Sequence, residues 1–269
     1  MSSFKNILIP VDFTLNTEVA ISKTLELIDQ NSTVHLLHTK KYGSFTGRTD
    51  SELEKKLRQW KETIADYDPL ISVQTYIVQS LSVQKAIKTK GKEIGADLIV
   101  IGQTSTHYML PFLKTVLPMQ LASSTGIPVL TVKPGALHNR SKTVIVSVTD
   151  EISEMKMSAL ELLCKKTRLD IHLVTFVNDK NVLPDIAASA LLKMYQDLKA
   201  KLRCPVKYAV LHGGNKAKSI LHYAEKNNAD ILLVSPKKET QLRWLNGHIA
   251  DVLPAHSKMQ VLAVQPSVN

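Results

Sequence analysis

At 269 residues, 44% hydrophobic and 22% charged, the chain has the make-up of a globular protein of one large or two ordinary domains and not of a disordered one. No apolar run approaches the roughly 20 residues that cross a bilayer, and MSSFKNILIPVD lacks the order of a secretion signal, so a cytoplasmic location without a membrane partner is expected. The net charge of +10 divides into +3 over residues 1–134 (15 Lys/Arg, 12 Asp/Glu) and +7 over 135–269 (19 and 12); the lysines lie scattered without interleaved aromatics, which reads as a solvated basic face and not as a nucleic-acid surface.

The first element is the continuous apolar run Asn6–Val11, suited to a strand buried on both faces of a parallel sheet. A helix is expected at 16–29, with Val19, Ile21, Leu25 and Ile28 along one side, and strand two at Thr33–Thr39. Leu53, Leu57, Trp60 and Ile64 recur at helical spacing and predict a helix over 50–66. Strand 72–79, helix 83–94, strand 97–102, a helix near 112–124 and strand 128–133 complete a series that implies parallel pairing through crossovers. The serines Ser123 and Ser124 are read as turn residues between helix and strand.

A linker is expected at 135–141, separating domains 1–134 and 142–269. In the second, strands are expected near 142–148, 170–176, 205–211, 230–234 and 260–264, with helices between them, including Leu183–Leu202. The turn His212-Gly213-Gly214-Asn215 is the most glycine-rich in the chain and reads as an entry into the next helix. Cys164 and Cys204 lack CxxC spacing, and Cys164, in an apolar helical run, is expected to be a buried small hydrophobe. The nine histidines show no HExxH pairing, so no metal site is expected. GxxxxGK[ST] and GxSxG are also absent, and no nucleophile with a matched base stands out.

The halves repeat one another. GADLIVIGQ at 95–103 echoes NADILLVSP at 228–236, and IPVLTVKP at 127–134 echoes MQVLAVQP at 259–266. ILIPV at 7–11 matches VIVSV at 144–148. The chain reads as a tandem duplication of a five-stranded open α/β unit.

ILIPVDF at 7–13, VHLLHTK at 34–40, GADLIVIG at 95–102 and IPVLTV at 127–132 resemble, in order and spacing, the universal stress protein family, and the resemblance covers the chain twice. It implies two doubly wound, mostly parallel, Rossmann-like five-stranded sheets packed as a pseudo-dimer. Members bind ATP or AMP or have lost nucleotide binding, and pair through their last strand, which a tandem chain can do within itself.

Nucleotide-binding members carry a Gly, two residues, a Gly, nine residues, then Gly with Ser or Thr. Glycines let backbone N–H groups and a helix N-terminus approach phosphate. On the first half these positions are Gly102, Ser105, Thr115 and Val116, of which only the first is kept. Lys114 lies beside them as a cation that either meets phosphate or belongs to a helix surface. Asp12, after Pro10 and Val11, matches the acidic residue that contacts adenosine, and Thr39 the backbone contact to the base; alternatively Asp12 caps the following helix. On the second half Thr149 or Asp150 replaces Asp12, Ser235 and Lys238 replace the first two glycines, and Gly247 and His248, or His248 and Ile249, close the loop. Lys237 and Lys238 suit either an anion or an exposed turn.

The expectation is a non-catalytic stress-response binding or sensor module with weak or absent ATP binding, whose partner is a small ligand or another protein. The alternative is an ATP- or AMP-binding, slowly hydrolysing protein that uses the first crevice. A homodimer remains open.

Overall fold

The computed structural model describes residues 4–42, 49–103, 116–148, 152–177, 184–236, 241–242 and 247–265. The first half runs β1 (Asn6–Pro10), α1 (Leu15–Leu27), β2 (Thr33–Lys41), α2 (Asp50–Tyr67), β3 (Ser72–Ser80), α3 (Val83–Glu93), β4 (Leu98–Gly102), α4 (Pro118–Thr125) and β5 (Val129–Val132). The second runs β6 (Thr143–Val148), α5 (Glu154–Lys166), β7 (Asp170–Val177), α6 (Pro184–Lys201), β8 (Val206–His212), α7 (Lys216–Lys226) and β9 (Ile231–Val234). It closes with the two-residue strands β10 (Gln241–Leu242) and β11 (Gly247–His248), then α8 (Ile249–Val252) and β12 (Gln260–Ala263).

These elements follow from local sequence. Helix α2 opens on a capping box, in which Thr49 Oγ1 accepts from the Glu52 backbone N–H and the Glu52 carboxylate accepts from that of Thr49. Its Leu53, Leu57 and Ile64 face inward. Helix α4 ends at Gly126, whose φ of 75° suits a residue without Cβ. Ser123 and Ser124 lie inside α4, so the turn expected there begins two residues later; Ser124 Oγ turns back onto the Leu121 carbonyl instead of ending the helix.

The strands join in the order β3-β2-β1-β4-β5-β12-β9-β6-β7-β8. The expected doubly wound α/β arrangement is present, and the two five-stranded units, paired last strand to last strand, form one ten-stranded sheet. All its pairings are parallel except β5 with β12, where Thr131 faces Val261 and Val129 faces Ala263 in antiparallel register. The reason is edge chemistry: each half ends on a short, wholly buried apolar strand with unpaired N–H and C=O groups, and each edge satisfies the other.

Alternation along the buried strands feeds a core on each face. Ile7, Ile9, Leu98, Val100, Ile231 and Leu233 pack with α1, α2, α5 and α6 on one side. Leu8, Ile99, Ile101, Leu232 and Val234 pack with α3, α4, α7 and α8 on the other. Both cores run across the β5–β12 seam. The two halves match in their polar anchors too. Asp97 accepts the backbone N–H groups of Lys5 and Asn6, and Asp230 those of Lys142 and Thr143, so each clamps the start of the first strand of its half to the fourth.

The connection after β5 is bound to both halves. The Gly135 N–H donates to the Ala255 carbonyl at 2.9 Å, and a Cβ on Gly135 would lie 2.1 Å from the His256 carbonyl oxygen. Buried Lys23 of α1 donates to the Asn139 carbonyl, while the Asn139 side-chain amide donates to Asp230 at 2.8 Å. Across the seam Lys166 of α5 pairs with Asp29, just past α1.

Candidate functional site

In each half the first strand lies between the second and the fourth, and the chain leaves these strands toward opposite faces. Ligands of open α/β sheets bind in the crevice outside the carboxyl ends of strands at this switch point. In the first half it is bordered by Pro10, Val11 and Asp12 after β1, Thr39 near the end of β2, and Gly102 at the end of β4.

Asp12 builds the entrance to α1. Its Oδ1 accepts from the Thr14 backbone N–H at 3.0 Å, the Thr14 hydroxyl at 2.7 Å and the Thr17 hydroxyl at 2.8 Å. Its Oδ2 accepts from the Asn16 amide at 3.2 Å. Thr17 Oγ1 in turn accepts the N–H groups of Asp12 and Phe13, and Phe13 takes the left-handed φ of 60° that this turn requires. Asp12 thus braces the turn that precedes α1, whose N-cap is Thr14, with four donors already on the carboxylate. Val11 is equally committed: its N–H donates to the Leu37 carbonyl, and its carbonyl meets His38 Nδ1 at 2.9 Å. Thr39 is half-buried and stands opposite Val78 in the β2–β3 register.

Gly102 carries a packing role. A Cβ there would lie 1.9 Å from the Asn16 carbonyl oxygen and 2.8 Å from the Asn16 Cα, so the first turn of α1 lies against the end of β4 only because the side chain is missing. Ser105, Thr115 and Lys114 lie outside the described residues. Past them Val116, in the position of the family's Ser or Thr, is 5% exposed and packed in the core. The N-terminus of α4 is short of backbone donors. Leu117 donates its backbone N–H to Gln84 Oε1 of α3 at 3.0 Å, and Pro118 has no N–H to offer.

The electrostatics here come from residues the sequence did not single out. Alternation along β4 and β5 puts Gln103, Thr131 and Lys133 on the face of α4 and α8. Among the described residues, Gln103 Oε1, Thr131 Oγ1 and Lys133 Nζ are all buried without a hydrogen-bond partner, as is Asn16 Oδ1 on the opposite face. Burial pulls the Lys133 ammonium down from its usual 10.5 to about 8, against the opposing pull of Asp251. The sequence held one signal for this cation: Lys133 of TVKP corresponds to a neutral Gln265 in the matching string AVQP.

In the second half Thr149, Asp150, Lys237 and Lys238 lie outside the described residues. Ser235 is buried just beyond β9. Gly247 pairs with Leu242 in the small antiparallel hairpin. His248 is the N-cap of α8, exchanging hydrogen bonds with Asp251, and Ile249 is buried in the core. The His212–Asn215 turn leads into α7, where Asn215 Oδ1 accepts the Lys218 N–H at 2.9 Å. Grooves of about 740 Å³ between α2 and β3 and about 620 Å³ beside α5 open away from both crevices.

The architecture has counterparts among known proteins. Residues 3–133 match the model of the Universal stress protein family. No curated protein matches the chain by sequence. Among solved structures, a universal stress protein from Archaeoglobus fulgidus aligns with a TM-score of 0.65 at 14% identity, over 97% of this chain and 98% of its own. A putative universal stress protein from Pseudomonas aeruginosa gives 0.59 at 17%, over 98% and 94%. The cytoplasmic domain of a prokaryotic cation chloride cotransporter gives 0.58 at 16%, over 98% and 96%. At these identities the likeness is one of fold. No described helix is long and apolar enough to cross a membrane.

Proposed function

We propose that the chain is a tandem universal stress protein, with domains at 1–134 and 142–269 joined by 135–141, acting as a non-catalytic binding and sensor module with weak or absent ATP binding. The observation that carries this reading is the loss of two backbone donors, at Leu117 and Pro118, from the N-terminus of α4. A phosphate at a helix start needs free backbone N–H groups and close backbone approach. Here the Leu117 N–H is held by Gln84, Pro118 has none, Val116 is turned into the core, and the room beside Gly102 is filled by Asn16. The shared fold carries no activity by itself, since function resides in sites placed on it. The β5–β12 pairing uses the edge through which single-domain members dimerise, so the reading expects this pairing to be intramolecular and a cytoplasmic protein or small metabolite to be the partner.

A second reading, ATP or AMP bound in the first crevice, is favoured by Asn16 Oδ1 and Lys133 Nζ, an acceptor and a cation without partners among the described residues. Thermal unfolding with and without millimolar Mg-ATP or AMP separates the two. A ligand at about 100 times its Kd adds roughly 2.7 kcal/mol, which for a chain of this size is a shift of several degrees. The first reading expects no shift with either nucleotide. A nucleotide-specific rise that disappears in Asp12→Ala would overturn it and establish the second.

A further inference from the structure

The two cysteines, separate in sequence, meet in the second half. Cys164 lies in the last turn of α5, and Cys204 in the connection from α6 to β8. Cys164 is not the fully buried hydrophobe its helical run suggests. Both residues are half-exposed, and the two thiols are in hydrogen-bonding contact. The apolar face of α5 buries Ala159, Leu160 and Leu163, and Cys164 falls at its edge, where a groove opens. The groove, about 620 Å³, is lined by both sulfurs together with Lys165, Lys166, Arg168, Lys201 and Arg203, against the single carboxylate of Glu161. Lys166 is committed to Asp29 of the first half, so the thiol pair sits beside a contact between the halves.

Three features of this arrangement bear on its chemistry. The contact between the sulfurs places them where a bond between them needs little movement of the chain. Lysines and arginines line the groove around the sulfurs, and the thiolate is the form that attacks. The exposure lets a small oxidant in. Burial and the neighbouring sulfur push the Cys164 thiol up, which keeps Cys164 protonated.

We propose that Cys164 and Cys204 form a peroxide-responsive thiol pair that closes reversibly into a disulfide, Cys204 being the attacking sulfur and Cys164 the resolving one. The Cys204 thiolate attacks one oxygen of hydrogen peroxide; the O–O bond breaks, leaving a sulfenic acid and hydroxide. Cys164 then attacks the sulfenic sulfur, the S–S bond forms, and the departing hydroxyl takes the Cys164 proton to leave as water. The hydroxide takes up the proton given by Cys204. In sum two thiols are oxidised by two electrons, and one peroxide becomes two waters. A cellular dithiol or glutathione reverses the change, as expected for a disulfide in a reducing compartment. The bond would tie the end of α5 to the start of β8 and enclose β7 and α6. This device does not depend on nucleotide binding.

The test uses the full chain, reduced, freed of reductant and exposed to stoichiometric hydrogen peroxide. Samples withdrawn over time are alkylated in urea and weighed. The wild type should pass from two alkyl groups to none, with a loss of about 2 Da from the reduced mass and no covalent dimer. Its Tm should rise by roughly 5–10 °C and return on reduction. Cys164→Ser should stop at a sulfenic acid trapped by dimedone on Cys204. Cys204→Ser should lose its remaining thiol at least about tenfold more slowly than the wild type loses its pair. Intermolecular dimers, sulfinic acids without the intramolecular bond, or a Cys204→Ser chain oxidised as fast as the wild type would each overturn the proposal.

Discussion

Lys133 offers the sharpest test of the physical reasoning. It is 1% exposed at the end of β5, and its ammonium has no hydrogen-bond partner among the described residues. The shift from 10.5 to about 8 corresponds, at 1.36 kcal/mol per pH unit, to a cost of about 3 kcal/mol for keeping the charge in the folded protein. The sign follows from proton counting. Between pH 8 and 10.5 the unfolded chain holds the Lys133 proton while the folded chain has lost it, so this residue makes stability rise with pH through that window. Below pH 8 the full penalty stands. Replacing Lys133 with Met keeps an unbranched chain of similar length and removes the charge. Lys133→Met is therefore expected to be more stable than the wild type by about 2–3 kcal/mol at pH 7, the lost attraction of Asp251 taking back a little. Urea unfolding of both proteins at pH 7, 8, 9 and 10 measures this, and taking the difference cancels the titration of the other lysines. The advantage should shrink toward zero by pH 10.5. A variant less stable at pH 7, or a difference flat across the window, would refute the reasoning and mean that the buried ammonium is satisfied, as by an anion held in the first crevice.

The remaining predictions concern Gly102 and the paired histidines. Gly102→Ala forces a methyl group to within 1.9 Å of the Asn16 carbonyl oxygen, and neither backbone can swing aside. It should cost about 3 kcal/mol in urea unfolding, nucleotide or no nucleotide, and a loss below about 1 kcal/mol would mean that α1 does not rest on β4 as described. His35 and His172 occupy matching places on the second strand of each half, with Nδ1 at 3.1 Å from the Tyr76 hydroxyl and 3.2 Å from the Tyr223 hydroxyl. Burial lowers both imidazoles below 6.5, assisted by Lys90 for His35 and by Lys207 for His172. The unfolded chain thus takes up protons first as pH falls, and stability drops from pH 6.5 downward. Imidazole NMR titrations should show both midpoints under 6.5, and the double variant His35→Asn, His172→Asn should have a shallower acid limb; equal limbs would show that burial does not govern these rings.

What the sequence determined by itself is the series of elements and their doubling. A strand buried on both faces needs an unbroken apolar run, as in Ile7–Ile9 and Leu98–Ile101, and a surface helix needs inward residues at helical spacing, as in α2; both requirements are local and readable. The repeated strings carry the same information twice, down to the aspartates that clamp the strand starts. Tertiary structure decided what each buried group meets. That the two five-stranded units share one sheet depends on two edges from opposite ends of the chain. That Gly102 is needed depends on the approach of Asn16, far away in sequence, and the donor at the start of α4 is lost to Gln84, on another helix. Cys164 and Cys204 read as isolated residues until the fold places them in one groove. Hydrophobic pattern reports which face of an element is covered and not what covers it, because covering is a contact between segments whose separation along the chain leaves no periodic trace.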